Sequence, residues 1–178
     1  MNIALVGPRG SGKTRISSHL GLLLKRPILS LDAMISYEEG KTISDLIAER
    51  DGDWRYFRDI EYRVLAKAAA MEDVIIDCGG GIVVDLDEQG EEVFSDRKAV
   101  VLRERALVFF LNPPFKSVES LITGTGNRPS LSSKMSAEEI YERRLPMYRQ
   151  IANHEINVTK GRRKKAAKEI CEIVSAQK

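Results

Sequence analysis

The sequence predicts a three-layer α/β/α fold built on a five-stranded parallel sheet. Apolar strand-like runs alternate with helical patterns along the 178 residues, as they do when parallel strands are joined by crossover helices. The first apolar run, Ile3-Ala4-Leu5-Val6, passes straight into Gly7-Pro8-Arg9-Gly10-Ser11-Gly12-Lys13-Thr14. A helical pattern from Arg15 to Leu24 follows, completing the strand, loop and helix of a phosphate-binding unit. With 43% hydrophobic and 30% charged residues, the chain is expected to bury a real core as a single domain, 1–178.

Strands are expected near 2–6, 27–31, 73–77, 106–111 and 155–158. Helices are expected over 12–24, 42–70 in two pieces, 94–104, 115–122, 136–151 and 163–176. Pro27 opens the second strand, and Asn112-Pro113-Pro114 closes the fourth. Ser136 with Glu139 reads as a capping box. Residues 123–133 are rich in Gly, Ser, Thr, Asn and Pro and form the one obvious mobile loop of the pattern. There is no internal repeat and no low-complexity tract.

Composition narrows the function classes. A net charge of +2 does not suggest a nucleic-acid binder, and the charge run from Arg162 to Lys165 has no interleaved aromatic residues. Cys78 and Cys171 are too few for a disulfide scaffold. No leader precedes the first strand and no apolar run approaches a membrane span, so a cytoplasmic, reduced monomer without membrane or nucleic-acid partners is expected. His19 and His154 stand apart from any cluster at zinc-ligand spacing. Cys78, beside the glycines 79–81, reads as a small buried residue whose nearness to the site can be probed by alkylation.

The loop carries the first functional argument. Gly7, Gly10 and Gly12 let successive N–H groups turn inward, Ser11 completes the cradle, and the new helix adds its positive end. Lys13 is expected to reach the β- and γ-phosphates of ATP, and the Thr14 hydroxyl a Mg²⁺ ion.

A P-loop says nucleotide but not acceptor. Four further features do: Asp32 after the second strand; Phe57-Arg58-Asp59-Ile60-Glu61; Asp77-Cys78-Gly79-Gly80-Gly81 after the third strand; and Arg128-Pro129 followed by Arg144-Leu145-Pro146-Met147-Tyr148. Their order resembles shikimate kinase, a small P-loop kinase related in fold to the nucleoside monophosphate kinases. The resemblance runs from the first strand to the last helix. It implies a P-loop kinase with a substrate-binding helical insertion about 32–62 and a lid about 123–134.

By resemblance, Arg58, Arg144 and the backbone of Gly79, Gly80 and Gly81 hold the carboxylate and ring hydroxyls of shikimate, with Glu61 supporting Arg58. Read without the family, Arg58 and Glu61 at i, i+3 equally suit an exposed helix pair, and the glycines a tight turn. The family usually carries Asp-x-Asp where this chain reads Ser30-Leu31-Asp32. Counting from the P-loop, and back from Gly40-Lys41-Thr42-Ile43, puts Asp32 at the second, substrate-facing position. There it takes the proton of the acceptor hydroxyl, a role that competes with helix N-capping. Ser30 then stands where the metal-side carboxylate would be. Asp77, at a strand end, is the compensating candidate beside Thr14, or else a carboxylate held by backbone N–H groups.

The lid would bring Arg128 against the transferring group and exclude water; a solvated loop arginine is the plainer reading. The arginine that often precedes the lid and stacks on adenine is absent, and Arg162 or Arg163 is left to cover the base. The resemblance therefore implies transfer of the ATP γ-phosphoryl group, with Mg²⁺, to the 3-hydroxyl of shikimate, on the path to chorismate and the aromatic amino acids. Ser30 and the short lid keep two alternatives open: another small hydroxy acid or a nucleoside monophosphate as acceptor, or a nucleotide-binding module without turnover.

Overall fold

A computed structural model describes residues 1–122, 135–159 and 161–177. The main strands are β1 (Asn2–Val6), β2 (Ile28–Ser30), β3 (Ile75–Asp77), β6 (Ala106–Asn112) and β7 (His154–Asn157). They form one parallel sheet in the order β2-β3-β1-β6-β7. Every residue of the central strand β1 is buried, as a parallel strand covered on both faces requires.

Alternation along the strands feeds two cores. Ala4, Val6, Ile76, Val108 and Phe110 face one layer, made by α2 (Leu31–Glu39), α3 (Ile43–Ala48), α4 (Arg55–Ala69), α5 (Asp96–Arg105) and α7 (Ala137–Ile151). Ile3, Leu5, Ile75, Phe109 and Leu111 face the other, made by α1 (Lys13–Leu24) and α8 (Arg163–Ala176). A 3-10 turn, Phe115–Ser117, and the one-turn α6 (Glu119–Ile122) pack on α7 through Val118, Ile122 and Ile140. The capping box at Ser136 and Glu139 is present. Among the described residues, no helix is long and apolar enough to cross a membrane.

Two elements depart from the sequence expectation. The segment after β2 is helical at once: Ser30 caps α2 by accepting from Ala33 N, and Leu31 and Ile35, one turn apart, are fully buried. The helix expected from residue 94 starts at Asp96, because β4 (Val84–Leu86) and β5 (Glu92–Phe94) form an antiparallel hairpin before it. Its turn is held by Asp87 Oδ1, which accepts from Gln89 N at 2.9 Å and Glu91 N at 2.8 Å. Strands of three residues are too short to show an alternating pattern.

Candidate active site

The carboxyl ends of β1, β2 and β3 open into a cavity of about 690 Å³, the place where open parallel sheets hold ligands. One end is the P-loop. Gly12, the residue before α1, has φ 92°, a left-handed conformation that turns the chain from loop into helix. Lys13 is buried, and its Nζ donates to Gly7 O at 2.8 Å, Pro8 O at 3.0 Å and Ser11 Oγ at 3.4 Å. Gly10, Gly12, Lys13 and Thr14 line the cavity, with Gly7 and Ser11 beneath them.

The other end brings together residues from α2, α4 and the glycines after β3. Asp32 is the second residue of α2, and Ser30 holds the cap position that was one reading of Asp32. Arg58 and Glu61 are 3% and 1% exposed, far from an exposed helix pair, with Arg58 Nη1 donating to Glu61 Oε2 at 3.0 Å. The Arg58 guanidinium also lies 5.3 Å from the ring centre of Trp54.

The three glycines leave room for what approaches them. A Cβ on Gly79 would stand 2.9 Å from Asp32 Oδ1 and 3.1 Å from Glu61 Oε1; on Gly80, 3.0 Å from Arg9 N; on Gly81, 2.6 Å from Arg58 Cζ. The segment is the meeting point of the P-loop, the carboxylates and the arginine.

Arg144 and Tyr148, one turn apart on α7, both bond the carbonyl of Gly80, Arg144 from Nη1 at 3.3 Å and Tyr148 from its hydroxyl. Arg144 is 3% exposed, and its Nε donates to Glu92 Oε2 at 2.9 Å while Nη2 bonds the other carboxylate oxygen. It stands behind the glycines, and Arg58 lines the cavity. Burial pushes the Glu92 carboxyl up, but hydrogen bonds from Arg144 outweigh it and hold it below the usual carboxylate range. Burial likewise pushes the Tyr148 hydroxyl up to about 12.

Ser30 and Asp77 are register partners on β2 and β3, and both line the cavity with Thr14. A hydroxyl and a carboxylate suit Mg²⁺, which keeps waters and substrate phosphates in its shell. Cys78 is buried, and burial together with the Asp77 charge raises its thiol well above the ordinary value, which disfavours the reactive thiolate. Of the two arginines left open for the base, Arg163 lines the cavity beside Gly12. Arg128 and the lid about 123–134 lie outside the described residues.

Two residues at this end escaped sequence reasoning. Lys98 Nζ donates to Glu61 Oε2 at 2.9 Å, and Glu92 holds Arg144. Lys98 had one signal, a charge on the apolar face of α5 beside Ala99 and Leu102. Glu92 had none, being in a hairpin that the pattern did not reveal.

A phosphate-binding loop facing an arginine–carboxylate pocket across one cavity defines a P-loop small-molecule kinase. The family model for shikimate kinase matches residues 9–175, and the chain belongs to the shikimate kinase family. Shikimate kinase of Leptospira borgpetersenii is 41% identical over 158 residues, 88% of each chain. That of Leptospira biflexa is 37% identical over 174 residues, 98% of this chain and 96% of its own. The solved structure of Acinetobacter baumannii shikimate kinase in complex with shikimate superposes with a TM-score of 0.83 at 28% identity, covering 99% of this chain and 94% of that one. The chain is accordingly an ATP-dependent kinase.

Proposed function

We propose that the protein transfers the γ-phosphoryl group of ATP to the 3-hydroxyl of shikimate, with Mg²⁺. The observation that carries this reading is that Asp32 and Glu61, the partner of the buried Arg58, converge on Gly79 in the cavity that the P-loop also lines. Arg58, held by Glu61, takes the carboxylate of the acid, with Gly79, Gly80 and Gly81 offering backbone N–H groups to its ring oxygens. Arg144 fixes the glycine backbone and contributes positive charge from behind. Asp32 accepts the proton as the acceptor oxygen bonds to phosphorus and the bond to the ADP oxygen breaks. Lys13 spreads the charge on the transferring group, and Arg128 joins it. Thr14 and Asp77, with Ser30 alongside, hold Mg²⁺, which neutralises phosphate charge when bound.

The test is ADP release with ATP, Mg²⁺ and shikimate, run beside Asp32→Asn and a control without acceptor. Shikimate-dependent turnover that falls by about 100-fold or more in Asp32→Asn is expected. ADP release indifferent to shikimate would refute the acceptor and send the search to other acidic alcohols and nucleotides.

A further inference from the structure

Lys98, on α5, is a fully buried lysine. It is 0% exposed, and its Nζ donates to Glu61 Oε2 at 2.9 Å and Val84 O at 2.6 Å and pairs with Asp85 at 3.2 Å. Packing does not call for an ammonium here, since its neighbours on α5, Ala99 and Leu102, join the apolar core. A buried charge is unfavourable unless well paired, and burial pulls Lys98 below the ordinary lysine value against the attraction of Glu61.

What Lys98 does follows from Glu61. Glu61 Oε2 accepts from Lys98 on one side and from Arg58 Nη1, at 3.0 Å, on the other. Its Oε1 and Asp32 Oδ1 both lie within 3.1 Å of where a Gly79 Cβ would be, so two carboxylates flank one glycine at the cavity wall. Without Lys98, Arg58 would be the one cation among the described residues left at hydrogen-bond distance from Glu61, whose carboxylate shares Gly79 with that of Asp32, and less of the Arg58 charge would be left for an acid. Of the neighbouring ions, Asp85 draws on Lys98 as well as Arg97, and Arg144 acts on Glu61 through charge without a hydrogen bond. Asp85 is paired with Arg97 at 2.8 Å and 2.9 Å, and Glu92 with Arg144. Lys98 meets the Glu61 charge from behind, outside the residues that line the cavity. Arg58, whose buried Nε has no hydrogen-bond partner among the described residues, keeps donor capacity for a ligand.

We propose that Lys98 is a positioning residue for acid recognition: it neutralises Glu61 from outside the cavity, so that Arg58 presents its charge to the carboxylate of the acceptor. The proposal deepens the shikimate reading and rests on it.

Trp54, the single tryptophan, lies under the Arg58 guanidinium and supplies a fluorescence readout. Shikimate and ATP are titrated separately into wild type, Lys98→Met and the charge-balanced Glu61→Gln/Lys98→Met, with steady-state kinetics and thermal unfolding on each. In Lys98→Met the shikimate Kd and KM are expected to rise about tenfold while the ATP KM stays within about twofold. The double variant is expected to recover about fivefold of the lost affinity, because removing the Glu61 charge removes the need for its partner. Unchanged shikimate binding in Lys98→Met would overturn the proposal. So would equal losses for both substrates with no recovery in the double variant, the result of a merely structural lysine. If Lys98→Met does not fold, the double variant decides: a folded protein that binds shikimate supports the proposal, and one that binds ATP alone overturns it. A wild type that binds ATP and gives no shikimate response would overturn the substrate reading itself, a failure visible before any substitution.

Discussion

The Arg58 guanidinium fills the space that a side chain at Gly81 would need: a Cβ built there stands 2.6 Å from Arg58 Cζ. Arg58 is also fixed through Glu61, so it cannot yield without leaving that partner. Gly81→Ala is therefore expected to move the guanidinium while the sheet beneath stays in place. Stability should fall by about 1–2 kcal/mol, within the usual range for a partly relieved core clash. The shikimate KM should rise about tenfold or more, since a charge-assisted pair to the carboxylate is weakened. Melting curves with KM values for both substrates check this, and an equal rise in the ATP KM would show that the glycine serves the P-loop instead.

The contrast between Arg58 and Lys98 explains what was legible in the sequence. Gly7 to Thr14 could be read because a strand, a loop and a helix carry the whole motif within adjacent positions, and Arg58 and Glu61 sit three apart on one helix. The Lys98–Glu61 bond spans 37 positions and the Arg144–Glu92 bond 52, and no local period reports such contacts. α2 falls within the helical insertion that the resemblance implies about 32–62, but no periodicity marks it. Its nine residues give only two buried positions, Leu31 and Ile35, too few to establish a helical period.

Ser30 and Asp77 face each other across β2 and β3, yet they are tied to different things. Ser30 Oγ accepts from Ala33 N at 3.4 Å and begins α2, the helix that carries Asp32. Asp77 is 5% exposed at the end of a strand beside the P-loop strand and lines the cavity with Thr14. Ser30→Ala is expected to lower stability by up to about 1 kcal/mol through the lost cap, and to raise the Mg²⁺ requirement far less than Asp77→Asn does. Asp77→Asn is expected to raise the Mg²⁺ concentration for half-maximal rate about tenfold. Titrating Mg²⁺ at saturating ATP and shikimate separates the two, and equal shifts would refute the idea that Asp77 replaces the metal-side carboxylate missing at Ser30.

Acid should act on the site through Asp85. Its carboxylate accepts from Arg97 Nε at 2.8 Å, Arg97 Nη2 at 2.9 Å and Ser95 Oγ at 2.7 Å, with Lys98 at 3.2 Å. Burial raises this carboxyl, but the Arg97 hydrogen bonds and the Lys98 charge outweigh it and hold it well below the usual aspartate range. A folded-state value lower than the unfolded one means that the stabilisation is fully present above about pH 4 and is lost as the pH falls further. Asp85→Asn removes it at every pH. The variant should be less stable than wild type by about 2 kcal/mol at pH 7, and the difference should shrink between about pH 4 and pH 2. Urea unfolding of both proteins across that range tests this, and a difference that stays constant into acid would mean that Asp85 stabilises through packing and not through its charge. Because Asp85 shares Lys98 with Glu61, the same protonation releases one of the contacts that hold the lysine beneath Arg58. Shikimate affinity in the variant at pH 7 should stay within about twofold of wild type, against the loss of about tenfold in Lys98→Met, since the Lys98–Glu61 contact remains and loses a competitor.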